Sequence, residues 1–382
     1  MKPTRTVAAV LGASALLAAV PAALPATAAP AAERAAAAAP GGPLALRDLA
    51  PEGFRIGTAV AGGGHHVDQP YPDPFPNDRQ YRRLVGQQFS SLSPENQMKW
   101  EFIHPEQGTY RFGPADEIVR FAQRHGQVVR GHTLLWHSQN PAWLEEGEFT
   151  KPQLRRILRD HIRTVVGRYK GKIQQWDVAN EIFLDDGSLR TQDNIWIREL
   201  GPGIIEDAFR WAHQADPAAK LFFNDYGVES DNAKSDAYYA LVQEFQAKGV
   251  PVDGFSVQAH LSTRYGFPGD LQANLQRFAD LGVETAVTEL DVRMDVPVGE
   301  QPTRAQQDQQ ADYYRQALEA CLSVEGCDSF TLWGFTDKYS WVPVFFQGEG
   351  FATVMTEDFR RKPAYYAVAY RLAEAKASYP RG

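Results

Sequence analysis

The sequence predicts an α/β protein with a (β/α)8 TIM barrel forming a single domain, and three observations carry that prediction. Eight short apolar, often β-branched runs are spaced along the chain past residue 47. Amphipathic helical stretches separate them, and the C-terminal ends of seven runs carry polar or aromatic side chains. Parallel strands need helical right-handed crossovers, and eight such units close a sheet without leaving an edge.

The expected strands are 54–60, 88–92, 127–135, 173–178, 220–223, 254–258, 285–290 and 329–333. Between them the clearest helix holds Leu154, Ile157, Leu158, Ile162, Val165, Val166 and Tyr169, whose spacings of three and four put them on one face. Pro152 suits its first turn. Further helices are expected at 77–87, 115–125, 192–215, 233–248, 270–281, 304–322 and 358–374. An open doubly wound sheet is the structural alternative, but no G-x-G-x-x-G follows the first strand. Gly62-Gly63-Gly64 stands there without phosphate-loop spacing and reads as a loop hinge.

Composition agrees with an ordinary globular protein. The 382 residues are 43% hydrophobic and 23% charged, which argues against a disordered or collagen-like chain. A formal charge of −8 lacks the field that phosphate neutralisation needs, so no nucleic-acid partner is expected. Two cysteines exclude a disulfide scaffold and a four-thiolate zinc site.

At the N-terminus Lys2 and Arg5 precede an apolar run, and Ala26-Thr27-Ala28 supplies a small-residue cleavage site. Residues 1–28 therefore read as a secretory signal peptide, too short and too Pro-interrupted to span a bilayer, and the mature protein as secreted, with no membrane segment. Residues 29–47 are Ala/Pro-rich and read as a flexible lead-in, leaving 48–377 as the catalytic domain. No linker-like stretch follows Arg371, so no separate carbohydrate-binding module is expected. Export permits a disulfide, and Cys321 and Cys327, close in sequence with Gly326 between them, are expected to form a small stapled loop.

The strand ends carry the chemistry. The second runs into Glu95-Asn96-Gln97-Met98-Lys99-Trp100 and the third into His132, Trp136, His137 and Gln139. The fourth ends in Asp177-Val178-Ala179-Asn180-Glu181, the fifth in Asn224-Asp225-Tyr226, and the sixth in Gln258-Ala259-His260. The seventh supplies Thr288-Glu289-Leu290-Asp291, and the eighth Trp333, with Trp341 downstream. One such residue is usually packing; seven strand ends of carboxylate, amide, imidazole and indole point to a site. Glycosidic hydrolysis suits them, because it needs one carboxylic acid at the leaving oxygen and one carboxylate at the anomeric carbon. Glu181 and Glu289 lie on opposite sides of a closed mouth. Asn180 is expected to donate to a sugar hydroxyl, His260 to hold Glu289 ionised, and Asp291 to fix the His260 tautomer. Trp136, Trp333, Trp341 and Tyr226 offer flat faces for sugar rings.

These motifs resemble the glycoside hydrolase family 10 endo-β-1,4-xylanases, the secreted bacterial members most of all, in order from about residue 53 to 370. The resemblance implies a retaining endo-acting enzyme on xylan, without metal or cofactor and expected to be monomeric. Glu181 matches the general acid/base in W-D-V-x-N-E, and Glu289 the nucleophile in T-E-L-D. Glu95, Asn96 and Lys99 match residues that bind the xylose just beyond the cleaved one on the non-reducing side. His132, Trp136, Asn180, Gln258 and His260 match those around the sugar at the cleavage point. Gln139 and Asn224 are taken as further substrate contacts. Trp333 and Trp341 match tryptophans that wall that sugar in, Trp341 crowding a hydroxymethyl and so favouring xylose over glucose. Tyr226 matches an aglycone-side stacking residue, and the secreted bacterial members carry a Cys pair placed like Cys321 and Cys327. Three features depart: Ser90 stands where Asn is common, Ala179 replaces Val, and the first loop, 62–77, with His65, His66 and four prolines, is long.

Other classes are open to these residues. A metallohydrolase would draw on His132, His137 and His260 with Asp177 or Asp291, and a chelator would stop it. A non-catalytic binding barrel would be expected to lack one carboxylate of the pair, whereas both are here. A β-1,4-glucanase is separated from a xylanase by sugar release from xylan against carboxymethyl-cellulose.

Overall fold

Eight parallel strands close into a ring in the computed structural model, which describes residues 45–62, 64, 73–297 and 299–378. They are β1 (Arg55–Val60), β2 (Ser91–Pro94), β3 (Val128–Gly131), β4 (Gln175–Asn180), β5 (Lys220–Asp225), β6 (Gly254–Val257), β7 (Glu284–Asp295) and β8 (Cys327–Leu332). Each pairs with its successor in sequence, and β8 returns to β1 with Thr58 opposite Leu332. All eight expected strands are present, and all C-terminal ends face one mouth, as the parallel closure requires.

Two glycines let adjacent strands approach. A Cβ at Gly131 would lie 2.2 Å from the Trp176 ring, and one at Gly254 2.1 Å from the Phe222 ring. Each ring lies across the neighbouring strand's backbone, its register partner being that glycine. Gly131→Ala is therefore expected to lower unfolding free energy by about 1–3 kcal/mol, the cost of overpacking a core, measured by denaturant melting. The helix Lys151–Arg168 buries Leu154, Leu158, Ile162, Val165 and Val166 as one stripe against the barrel.

Several boundaries differ from expectation for local reasons. The packed domain starts before residue 48. Leu46–Leu49 is a helical turn, Leu46 is buried with its N–H on Gln88 Oε1, and Arg47 Nη1 reaches the His125 carbonyl. The Ala/Pro-rich run upstream masks that one anchoring leucine. The helix expected at 192–215 is two, Ile195–Leu200 and Gly203–Ala215, because Gly201 takes φ 80° and Pro202 follows it. The last helix is Pro363–Ser378 and starts at its proline. Asp78, accepting from Gln80 N and Tyr81 N, moves the start of the first long helix to Arg79. β7 outruns the expected 285–290 because two short strands, His260–Ser262 and Glu349–Gly350, pair with its far end.

Cys321, in the last turn of the helix Arg304–Leu322, is disulfide-bonded to Cys327 at the start of β8, with Cα atoms 5.3 Å apart. The expected signal peptide and His65 and His66 of the first loop lie outside the described residues. No helix among the described residues is long and apolar enough to cross a membrane.

Candidate active site

Glu289 sits inside β7, almost wholly buried, and its backbone N–H is bonded to the Gln258 carbonyl. Its Oε1 accepts from Asn224 Nδ2 at 2.8 Å, and its Oε2 lies 3.3 Å from His260 Nε2. Burial alone would push this carboxyl up. The charge of His132, 3.9 Å away, and the hydrogen bond and charge of His260 overcome that and hold it below the ordinary glutamate value.

His260 lies between two carboxylates because its short strand places it opposite Asp291. Nδ1 is 3.0 Å from Asp291 Oδ2 while Nε2 faces Glu289. Burial pulls the imidazole down, but Asp291 and Glu289 raise it to about 10. The ring is then an imidazolium donating from both nitrogens, so Asp291 has no tautomer to choose; it holds charge and orientation. Asp291 Oδ2 also accepts from Trp341 Nε1 at 2.8 Å, which sets that indole edge-on to the same imidazole, with ring centroids 4.9 Å apart. A group raised on folding contributes stability that is complete below its unfolded value and lost as pH rises through its folded one. The His260 contribution should therefore fade between pH 6.5 and about 10. Denaturant midpoints at pH 6.5, 8 and 9.5 are expected to fall in the parent, with a visibly shallower slope in His260→Gln.

Glu181 follows β4 directly, in the left-handed region at φ 54°, a conformation costing a non-glycine residue about 1–3 kcal/mol. The turn carries its side chain off the strand. Oε1 accepts from Gln258 Nε2 at 2.9 Å and Asn180 Nδ2 at 3.2 Å; Oε2 lies 3.7 Å from His137 Nδ1. Burial, the largest influence on His137, lowers its pKa against the opposing charge of Glu181.

Two amides join the carboxylates. Asn224 Nδ2 donates to both Glu289 Oε1 and Asn180 Oδ1, and Asn180 donates on to Glu181. Asn224 Oδ1 in turn accepts from Ser256 Oγ and Thr288 Oγ1. Two donors and two acceptors exhaust the amide, and the residue is fully buried. Asn224 is therefore not the substrate contact expected from its strand end; it orients the pair from below. Strand position shows that a side chain nears the mouth, but not its depth.

On the other side of the mouth, Lys99 Nζ donates to Gln139 Oε1 at 2.7 Å and Asn96 Oδ1 at 3.0 Å, and lies 5.0 Å over the Trp136 ring. Burial lowers its pKa, opposed by Glu289, Glu95 and Glu181. Glu95 Oε2 accepts from Gly62 N and Asn96 donates to Gly62 O, tying both to the start of the first loop. Burial raises Glu95 to about 7 despite the Gly62 bond and Lys99. Trp333 packs edge-on to His132 at 5.4 Å, and Tyr226, partly exposed, has Lys234 Nζ 3.7 Å above its ring.

Sequence reasoning missed the ion pair beneath. Arg130 of β3 and Asp177 of β4 are fully buried and paired, Arg130 also donating to Ser256 Oγ and Gln175 Oε1. Asp177 Oδ2 accepts from His132 Nδ1 at 3.0 Å, which aims that imidazole. From the sequence Asp177 reads as a strand-end residue and a possible zinc ligand, not as half of an ion pair. The carboxylates nearest the candidate metal histidines His132, His137 and His260 are Asp177, Glu181 and Asp291 respectively, and no group of three or more His, Cys, Asp or Glu suited to a metal occurs among the described residues.

Known proteins share this fold. Residues 45–371 match the Glycosyl hydrolase family 10 model. The chain is 42% identical over 300 residues to endo-1,4-beta-xylanase B of Thermotoga neapolitana, covering 78% of this chain and 85% of that one. It is 40% identical over 327 residues to an endo-1,4-beta-xylanase of Agaricus bisporus, covering 85% and 96%. Native xylanase 10B from Thermotoga maritima superposes with a TM-score of 0.80 at 40% identity, covering 88% of this chain and all of that one. Xylanase 10B from Thermotoga petrophila, solved with xylobiose, matches equally at 0.80. With two buried carboxylates joined through paired asparagines at the mouth of such a barrel, the chain belongs to glycosyl hydrolase family 10.

Proposed function

We propose that the protein is a retaining endo-β-1,4-xylanase that hydrolyses internal linkages of xylan. The observation that carries this reading is Glu289, ionised between Asn224 and the His260 imidazolium, linked through two amides to Glu181. Glu289 attacks the anomeric carbon while Glu181 gives its proton to the departing glycosidic oxygen. The carbon–oxygen bond breaks, the aglycone leaves as an alcohol, and a glycosyl ester remains on Glu289. Glu181, now a carboxylate, takes a proton from water; the hydroxyl adds to the same carbon and Glu289 departs, restoring both groups.

Asn180 and Gln258, both hydrogen-bonded to Glu181, hold the acid toward that oxygen. Glu95, Asn96, Lys99 and Gln139 grip the next sugar on the non-reducing side; Trp136, Trp333 and Trp341 enclose the one being cleaved, and Tyr226 receives the leaving sugar. The protein works as a secreted monomer. Two inversions at one carbon give net retention, so proton NMR should show the β anomer of the first-formed sugar, and an initial α anomer would rule out the covalent route. Sugar release should be far greater from xylan than from carboxymethyl-cellulose.

A further inference from the structure

Glu181 keeps a backbone conformation that only its surroundings can impose. Three contacts hold it. Its own N–H donates to the Asn224 carbonyl at 3.0 Å, and the next N–H, that of Ile182, donates to Tyr238 Oη at 3.1 Å. The third comes from the loop after β4, where Arg190 Nε donates to the Glu181 carbonyl at 3.0 Å. Arg190 is buried and doubly anchored, by its backbone N–H on the Ile182 carbonyl at 2.8 Å and by Nη1 on Asp193 Oδ2 at 2.8 Å. Its remaining nitrogen, Nη2, reaches Tyr226 Oη at 3.4 Å.

The geometry points to Arg190 as a positioning residue that fixes the acid/base carboxyl relative to the leaving-group sugar. One rigid guanidinium joins the peptide that aims Glu181 to the aromatic ring proposed to receive the aglycone, and a lysine ammonium cannot reproduce that planar fork. The groups around Glu289 are Asn224, His260 and His132, none of which touches Arg190. Loss of Arg190 therefore falls on protonation of the leaving oxygen rather than on attack. This inference rests on the reading of Glu181 as the general acid.

The test compares kcat/KM for xylotetraose, whose leaving group needs a proton, with that for a dinitrophenyl xylobioside, whose leaving group does not. Arg190→Gln and Arg190→Lys are both measured, beside Glu181→Ala and the parent. Misplacing a catalytic group costs up to about 100-fold, so we expect roughly 10–100-fold loss on xylotetraose and less than about 3-fold on the aryl glycoside. Should thermal melting show Arg190→Gln unfolded, Arg190→Lys is read by the same criterion. Equal losses on both substrates, with Glu181→Ala still selective, would overturn the role of Arg190 alone. Equal losses in Glu181→Ala as well would overturn the acid assignment and this inference with it.

Discussion

Glu289→Gln is expected to abolish turnover, lowering kcat on xylan by roughly 10⁴–10⁶-fold, the scale set by losing a covalent nucleophile. The amide nearly matches the carboxylate in shape but cannot form the glycosyl ester. Its local cost is also definable. Glu289 accepts from Asn224 on one oxygen and faces His260 with the other, so an amide must turn its N–H₂ toward one of two donors. One interaction is lost, at about 1–3 kcal/mol, and the variant should still fold. His260 should then titrate below the parent's value of about 10, because one of its two carboxylate neighbours has become neutral. Calorimetric titration with xylotetraose should show binding retained. Residual turnover above about 1% of the parent would remove Glu289 from the nucleophile role.

The same neighbourhood shows what a sequence can and cannot display. Strand ends were legible because a barrel's C-terminal rim collects one set of side chains, and many polar types gathered there together are more than packing alone requires. Glu181 and Glu289 are singled out that way, and the structure links them through Asn180 and Asn224. The Arg130–Asp177 pair did not, since the alternating pattern that marks a strand says nothing about whether an inward residue is ringed by aliphatics or by Ser256 and Gln175. Asn224 was found but misjudged, because a position on a strand carries no record of how many hydrogen bonds its neighbours will claim. Arg190 lay in a loop nine residues past Glu181 and touches it only because the chain folds back, with Arg190 N on the Ile182 carbonyl. The apolar periodicity on either side of Gly201-Pro202 reads as one helix, but periodicity carries no record of the backbone turn that this pair makes.

Glu181→Ala should divide substrates by how much their leaving groups need a proton. On xylan the departing group is a sugar alkoxide, and losing general acid assistance is expected to lower kcat/KM by roughly 10²–10⁴-fold. On a dinitrophenyl xylobioside the phenolate departs unaided, so kcat/KM should change by less than about 3-fold. The kcat for that aryl substrate should nevertheless collapse. After attack by Glu289 the trapped glycosyl ester waits for water, and no carboxylate remains at 181 to take water's proton. Stopped-flow absorbance should therefore show a burst of one dinitrophenolate per enzyme followed by slow turnover. Azide, a nucleophile that carries no proton to remove, should restore that turnover by entering the space the carboxyl leaves beside Gln258 and Asn180. The alanine inherits φ 54° at no greater backbone cost than the glutamate, so the barrel should stay folded. A variant that loses both substrates equally, with no burst and no response to azide, would show that the proton comes from elsewhere.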